Sequence, residues 1–325
     1  RSHRARLASV DGLIAIAVFR SRRAGDVGRQ GQLAMLFQQR RQRLVAIDAD
    51  LEQIVVAGQH GSGETGVELQ MRADLGDLPQ VVFSRRHVCE WGTFSLVRAT
   101  QDAAALLLDR FPDLTHVILV SGACLPLRPV ADLRAFLARY PQRDFIESVT
   151  AEDVGWTVGG LNEERFTLYF PFSLRRQRKL FDRYVELQRK LGVRRRVPAG
   201  LVPHLGSQWW CLTRATLSAI LDDPKRAEFD RYFRRVWIPD ESYFQTLARR
   251  HSRQVESRSL TLSKFDDQGK PHIFYDDHLQ ILRRSDCFVA RKIWPHADRL
   301  YATFLSDDPG NQPAAEPNPG KIDRL

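Results

Sequence analysis

Val117-Ile118-Leu119-Val120-Ser121-Gly122 is an apolar run closed by two turn-forming residues, so it reads as a buried strand entering a loop. Upstream, Ser95–Asp109 is rich in Ala and Leu and reads as a helix. Downstream, Val130, Leu133, Phe136, Leu137 and Tyr140 recur at helical spacing within Pro129–Tyr140, and Asp144–Ser148 reads as the next strand. Strands alternating with helices predict an α/β domain with a mostly parallel central sheet flanked by helices.

The same reading extends outward. Val81–Phe83 is a short strand. Leu13–Phe19 and Leu44–Ile47 read as strands, and Arg29–Arg43 carries Leu33, Leu36 and Phe37 on one helical stripe. Gln59–Thr65 is Gly-rich but lacks the Lys-Ser/Thr ending of a phosphate-binding loop, and reads as a plain turn. Leu174–Leu191 has an apolar stripe of Leu180, Phe181, Tyr184, Leu187 and Leu191 opposite a basic face that continues to Arg196. Gln208–Thr213 reads as an aromatic-rich strand, and Pro239 opens a helix expected over Asp240–Arg249. Residues 1–305 are expected to form a single domain, with a disordered tail over 306–325.

Composition narrows the function classes. Hydrophobic residues make up 43% and charged residues 27% of the 325, as in an ordinary globular chain. The formal net charge of +10 suggests an anionic partner without choosing among nucleic acid, membrane and phosphorylated substrate. Cys89, Cys124, Cys211 and Cys287 form no C-x-x-C pair, which argues against a zinc site or disulfide framework and fits a reducing cytoplasm. The longest apolar run is too short to span a bilayer. The histidines show no metal-ligand spacing, and Gly206-Ser207 lacks the nucleophile-elbow pattern.

An ordered set of motifs then points to one family. It comprises Trp91-Gly92-Thr93-Phe94-Ser95-Leu96-Val97, Val120-Ser121-Gly122-Ala123-Cys124-Leu125-Pro126-Leu127-Arg128, Phe145-Ile146-Glu147, Gly206-Ser207-Gln208-Trp209-Trp210, Pro239-Asp240-Glu241-Ser242-Tyr243-Phe244-Gln245-Thr246 and Phe288-Val289-Ala290-Arg291-Lys292. In order and spacing these resemble the core-2/I-branching glycosyltransferases, β-linked N-acetylglucosaminyltransferases with the related peptide xylosyltransferases, and their bacterial members. The resemblance covers roughly residues 80–295 well and 10–75 poorly. It implies a GT-A-like nucleotide-sugar transferase fold, a UDP-sugar co-substrate with no other cofactor, inversion at the anomeric carbon and no metal.

Residue by residue, Glu241 matches the family's catalytic base. An inverting transfer needs one carboxylate to take the acceptor proton, and a first-turn helix position would favour its ionised form. Glu147 matches a carboxylate that binds acceptor hydroxyls, although Asn162 stands where that region of the family usually has Lys. Arg291 and Lys292 are assigned to the donor diphosphate, with Lys292 at the family's lysine position. Ser121 and Gly122 belong to the donor side, where with Pro126 they shape a turn. Asp50 aligns with a uridine contact. Asp48-Ala49-Asp50 also reads as Asp-x-Asp, a metal-binding alternative, but the usual place for that motif, near Ser121–Cys124, holds no carboxylate. Strand alternation sends Trp209 and Trp210 to opposite faces, so one is core, and Trp210 is assigned to the acceptor pocket; Trp91 is core or pocket.

N-acetylglucosamine is the expected sugar and xylose the alternative, with a glycan or glycoconjugate acceptor. The competing class is a non-catalytic protein that binds nucleic acid or anionic membrane through the basic helix 174–196. No nucleic-acid signature supports the first of these. A weak attraction of that helix to the inner face of a membrane fits a cytoplasmic, peripherally associated enzyme.

Overall fold

A computed structural model describes residues 13–20, 53–60, 81–153, 161–171, 178–266 and 271–306. The first strands are β1 (Leu13–Arg20), β2 (Gln53–His60), β3 (Val81–Phe83) and β4 (His87–Val88). Helix α1 (Phe94–Arg110) follows. Thr93 caps it by accepting the Ser95 N–H, and Val97, Ala103, Ala104 and Leu107 form its buried face. Then come β5 (Leu114–Ser121), β6 (Leu125–Pro126), α2 (Val130–Arg139), β7 (Asp144–Phe145) and β8 (Val149–Thr150). A helical excursion carries α3 (Glu164–Thr167) and α4 (Arg178–Lys190) before β9 (His204–Leu205) and β10 (Cys211–Thr213). Helices α5 (Arg214–Leu221) and α6 (Arg226–Phe233) lead to a 3-10 turn, Pro239–Glu241, and to α7 (Tyr243–His251). The chain continues through β11 (Val255–Glu256), β12 (Thr261–Ser263), α8 (Leu279–Arg283), β13 (Val289–Arg291) and α9 (Asp298–Phe304).

The α/β class holds, but the sheet is mixed rather than mostly parallel. Its order is β11-β7-β10-β5-β1-β2-β3, with β4 beside β2. The central pairings β10–β7, β10–β5, β5–β1 and β1–β2 are antiparallel, while β7–β11, β2–β3 and β2–β4 are parallel. The physical reason lies in β5. Val117 and Leu119 enter a core built with α1, α5 and α7, and Ile118 and Val120 enter a second core against α2. A strand covered on both faces loses the apolar–polar alternation that usually marks antiparallel pairing, so its direction is not written in its composition.

Other boundaries also shift. Gln59 and His60 end β2 instead of opening a turn. The expected strand Asp144–Ser148 stops at Phe145, and Gln208–Thr213 narrows to Cys211–Thr213. The helix expected over Asp240–Arg249 divides at Ser242, whose φ of −145° is not helical. The expected helix 29–43, the strand at 44–47, the Asp48-Ala49-Asp50 segment and the tail beyond 306 lie outside the described residues.

One buried cation ties the helical excursion to the body. Arg195 donates to the carbonyls of Leu168 (3.1 Å), Arg235 (2.7 Å) and Tyr232 (2.7 Å), and its guanidinium lies 4.9 Å from the Tyr169 ring centroid and 4.4 Å from that of Tyr232. Removing it leaves three carbonyls short of a donor. Arg195→Met should cost about 2–4 kcal/mol, read as a lower urea midpoint, and Arg195→Lys should not restore it because an ammonium lacks the planar fork. An unchanged midpoint in Arg195→Met would remove this residue from the account of stability.

Candidate active site

The site is assembled along Gly206-Ser207-Gln208-Trp209-Trp210. The pairing of β8 with β9 brings Thr150 opposite His204 and Val149 opposite Leu205. Gly206 then lies directly on residue 147: a Cβ there would sit 1.9 Å from the Glu147 carbonyl oxygen. The Gly206 N–H donates to the Glu241 carbonyl (3.0 Å), and the Ser207 N–H donates to Glu147 Oε2 (2.8 Å). Gln245 fixes the segment from behind through its amide and the Ser207 carbonyl (2.7 Å). Two acidic residues far apart in sequence are thus hung from one short stretch of backbone.

Glu241 ends the 3-10 turn that begins at Pro239, so the first-turn α-helical position expected for it is corrected. Ile238, just before that turn, has φ 50° and ψ 63°, a left-handed conformation that a β-branched residue adopts at a cost. The Glu241 N–H bonds back to the Ile238 carbonyl (3.2 Å). Arg165 of α3, itself buried and donating Nε–H to the Leu161 carbonyl (3.1 Å), brings Nη1 to 3.6 Å from Glu241 Oε2.

The carboxyl groups here are held above their ordinary range. Burial raises Asp240 to about 7, the neighbouring Glu241 charge adds to the rise, and Arg165 partly opposes it. Asp240 Oδ1 has no hydrogen-bond partner among the described residues. Burial in the surrounding protein also raises Glu241. Arg165 works against that rise and Glu147 with it. Because 42% of the Glu241 side chain meets solvent, water screens part of the penalty. Burial raises Glu147 too, and the Ser207 N–H opposes it.

A second group gathers where β5 ends. Ser121 Oγ lies 3.4 Å from Cys124 Sγ and accepts the Ala123 N–H (3.3 Å). The Ser121–Pro126 turn is stitched to the 288–293 segment by β6–β13 pairing, by Leu127 N–H to the Phe288 carbonyl (2.8 Å) and by Ile293 N–H to the Ala123 carbonyl (3.0 Å). Arg291 is thereby carried to Cys124, whose thiol burial raises and Arg291 lowers. The Arg291 guanidinium lies 4.1 Å from the Trp209 ring centroid and the residue is only 7% exposed, whereas Lys292 is half-buried. Ser121, Gly122, Arg291 and Lys292 therefore share one locality, joined to Glu147 and Glu241 through the 206–210 segment.

Two expectations change on this geometry. Trp210 is 1% exposed and packs on Phe244 at 5.0 Å between centroids, so it is a core residue and not an acceptor contact. Trp209 is the one beside a functional candidate. Asp50 lies outside the described residues. Nothing in the sequence around Arg165 gives it a role; only its long-range approach to Glu241 does. On the basic face, Arg189 grips Glu164 through two bonds (2.7 and 2.6 Å), Arg194 meets Glu163 (2.8 Å) and Lys190 meets Glu186 (3.7 Å), so part of its charge is met locally. No helix among the described residues is long and apolar enough to cross a membrane.

Comparison with known proteins agrees with the motif order. The core-2/I-branching enzyme family matches residues 63–286, more than half of the chain, and a family of unknown function matches residues 291–325. Mouse (Mus musculus) xylosyltransferase 2 is 29% identical over 166 residues, and the human (Homo sapiens) protein 28% identical over 172 residues; each match takes in 50% of this chain. The chain spans only 17% of the length of those relatives.

The raised Asp240 carboxyl makes stability depend on pH. Its ordinary value is 3.8 and its folded value about 7, so between these the folded state holds a proton that the unfolded chain releases. Stability then falls as pH rises through that window. Asp240→Asn holds no such proton and should lose less stability over the same interval, measured as the change in melting temperature with pH. Parallel pH profiles for the two proteins would contradict the assignment.

Proposed function

The chain belongs to the core-2/I-branching enzyme family, and from that premise we propose that it is a glycosyltransferase moving a sugar from a UDP-sugar to an acceptor hydroxyl with inversion. The observation that carries this reading is the approach of Glu241, with Arg165, and Glu147 to Gly206 and Ser207, while Arg291, in the segment stitched to the Ser121–Pro126 turn, lies against Trp209.

In this reading Glu241 removes the acceptor's hydroxyl proton as that oxygen attacks the anomeric carbon. The bond to the diphosphate breaks on the opposite face, and UDP leaves with the electron pair. A carboxylate whose affinity for protons is raised is a better acceptor near neutral pH than an ordinary glutamate. Arg165 orients the Glu241 carboxylate and limits the rise. Glu147, held through one oxygen by the Ser207 N–H, receives acceptor hydroxyls. Lys292 meets the charge that develops on the departing diphosphate. Arg291, held over the Trp209 ring and nearly enclosed, adds positive charge to the same locality. Asp50 is assigned to the uridine by resemblance alone.

N-acetylglucosamine remains the first donor sugar. Xylose is the second reading, favoured by the names of the matched relatives. The acceptor is a glycan or glycoconjugate, and the reaction needs no metal because Lys292 and Arg291 supply the positive charge.

Glu241→Gln should keep the fold and UDP binding while transfer falls about 10²–10⁴-fold. The wild-type acid limb in the pH–rate profile should disappear with it. Near-native transfer by that variant would mean that another group is the base. Transfer should also continue in excess EDTA; abolition with rescue by manganese would replace the Arg291/Lys292 account with a metal-bound diphosphate.

A further inference from the structure

The basic face expected over residues 174–196 is only part of what α4 presents. One stripe of that helix is committed to the body. Val185 is buried, and Phe181 stacks on Phe170 with centroids 5.7 Å apart and lies 4.6 Å from Trp237. The Gln188 side chain accepts the Tyr169 N–H (2.8 Å) and donates to the Tyr169 carbonyl (3.0 Å). Near its end, Arg189 holds Glu164 of α3. The helix is therefore fixed, and the fold decides what its remaining surface shows.

Leu180, Leu187 and Leu191 stand away from that stripe and are 50%, 53% and 69% exposed. Their spacing of seven and then four residues sets them in one row along the helix. Leu191, just past the last helical residue, still bonds through its N–H to the Leu187 carbonyl (3.0 Å). Single apolar side chains on a surface need no explanation, but an aligned row does. Lys179, Arg183 and Lys190, all exposed, run in the adjoining row. Lys190 reaches Glu186 at 3.7 Å, a surface pair that opens at little cost. Lys179 and Arg183 meet no carboxylate among the described residues. The acids of α4, Asp182 and Glu186, lie beyond the cations, on the side away from the leucines.

We propose that this face of α4 docks on an anionic lipid bilayer. Leu180, Leu187 and Leu191 enter the boundary between head groups and acyl chains, and Lys179, Arg183 and Lys190 lie on the lipid phosphates. Docking of this kind is independent of the sugar-transfer reading. A row of leucines beside a row of cations matches a bilayer surface, where apolar depth and negative charge adjoin. Leucine is under-represented among the residues that dominate protein–protein binding, whereas it is a usual lipid-facing residue of interfacial helices. The net charge of +10 favours approach to such a surface. Docking also orients the candidate site. Phe181 packs on Trp237, which immediately precedes Ile238, and the Ile238 carbonyl accepts the Glu241 N–H. The turn that carries Glu241 is thus held at a fixed attitude to the helix that meets the lipid.

The test is flotation of the full chain with vesicles of phosphatidylcholine alone, and of phosphatidylcholine and phosphatidylglycerol in equal parts. The wild-type protein should float with the mixed vesicles, far less with the neutral ones, and less as salt is raised. Leu180→Gln, Leu187→Gln and Leu191→Gln combined should lower the partition coefficient at least about tenfold. Lys179→Gln, Arg183→Gln and Lys190→Gln combined should lower it about tenfold or more. Leu191→Gln alone, at the most exposed of the three leucines, should lower it about threefold and serves if the triple leucine variant melts early. Failure of the wild-type protein to float with the mixed vesicles overturns the docking surface. Wild-type partitioning by the leucine variants overturns it too, since the cations alone would then account for binding. Sedimentation equilibrium without lipid is run alongside. A wild-type dimer that the leucine substitutions dissolve would assign the row to a second copy of the chain and overturn the lipid assignment.

Discussion

The contact between Gly206 and the backbone of Glu147 leaves no space for any side chain, since even a Cβ would fall 1.9 Å from a carbonyl oxygen. That closeness gives the site its dimensions. It sets the β8–β9 register, and the register brings the Ser207 N–H to the Glu147 carboxylate and the Gly206 N–H to the Glu241 carbonyl. A few residues on, the same stretch of chain sets Trp209 against Arg291 and sinks Trp210 into the core beside Phe244. Backbone approach, not side-chain reach, places the acidic and basic halves on a common frame. A frame of this kind holds its geometry because backbone atoms have little rotational freedom to spend.

The electrostatics of the frame are unbalanced on one side. Glu147, Asp240 and Glu241 lie close together, and Arg165 is the cation seen to pair with Glu241. Burial penalises each carboxylate in its charged form, and mutual repulsion adds to the penalty. Below about pH 7 a proton on Asp240 relieves part of this repulsion. The left-handed Ile238 beside the same turn is a second local cost. Opposite, the wide grip of Arg195 on three carbonyls helps hold the excursion that carries Arg165. Local instability at the carboxylates is tolerated because the elements around them are fixed by stronger contacts.

Much of this was legible in the sequence, for identifiable reasons. The apolar run at Val117–Val120 and the helical periodicities of α1 and α2 depend on short-range pattern, and the observed elements follow them closely. Motif order singles out Glu241, Glu147, Ser121 and Lys292 as candidates, and the 206–210 segment links the parts of the fold that carry them. Strand direction was hidden because β5 is covered on both faces. The choice between Trp209 and Trp210 depended on which face meets the core, and alternation alone leaves that undecided. Arg165 went unassigned because its role exists only once α3 folds back against the 3-10 turn. The break at Ser242 is not legible in the sequence because Pro239-Asp240-Glu241 resembles an ordinary helix start.

The pairing of Thr150 with His204 has a consequence for how such a chain can diversify. It closes the excursion from 151 to 203 into a loop whose two ends meet on adjacent strands. The segment can be lengthened, shortened or exchanged without displacing the strand ends that carry Glu147 and Gly206, because loop length adds little to the cost of closure. An exchange would alter the approach of Arg165 to Glu241 and the hold of Arg195 on the Tyr232 and Arg235 carbonyls. Chemistry and surroundings are thus encoded in separable parts of the chain. The carboxylates belong to a fixed scaffold, and the shape that meets them belongs to an interchangeable insert.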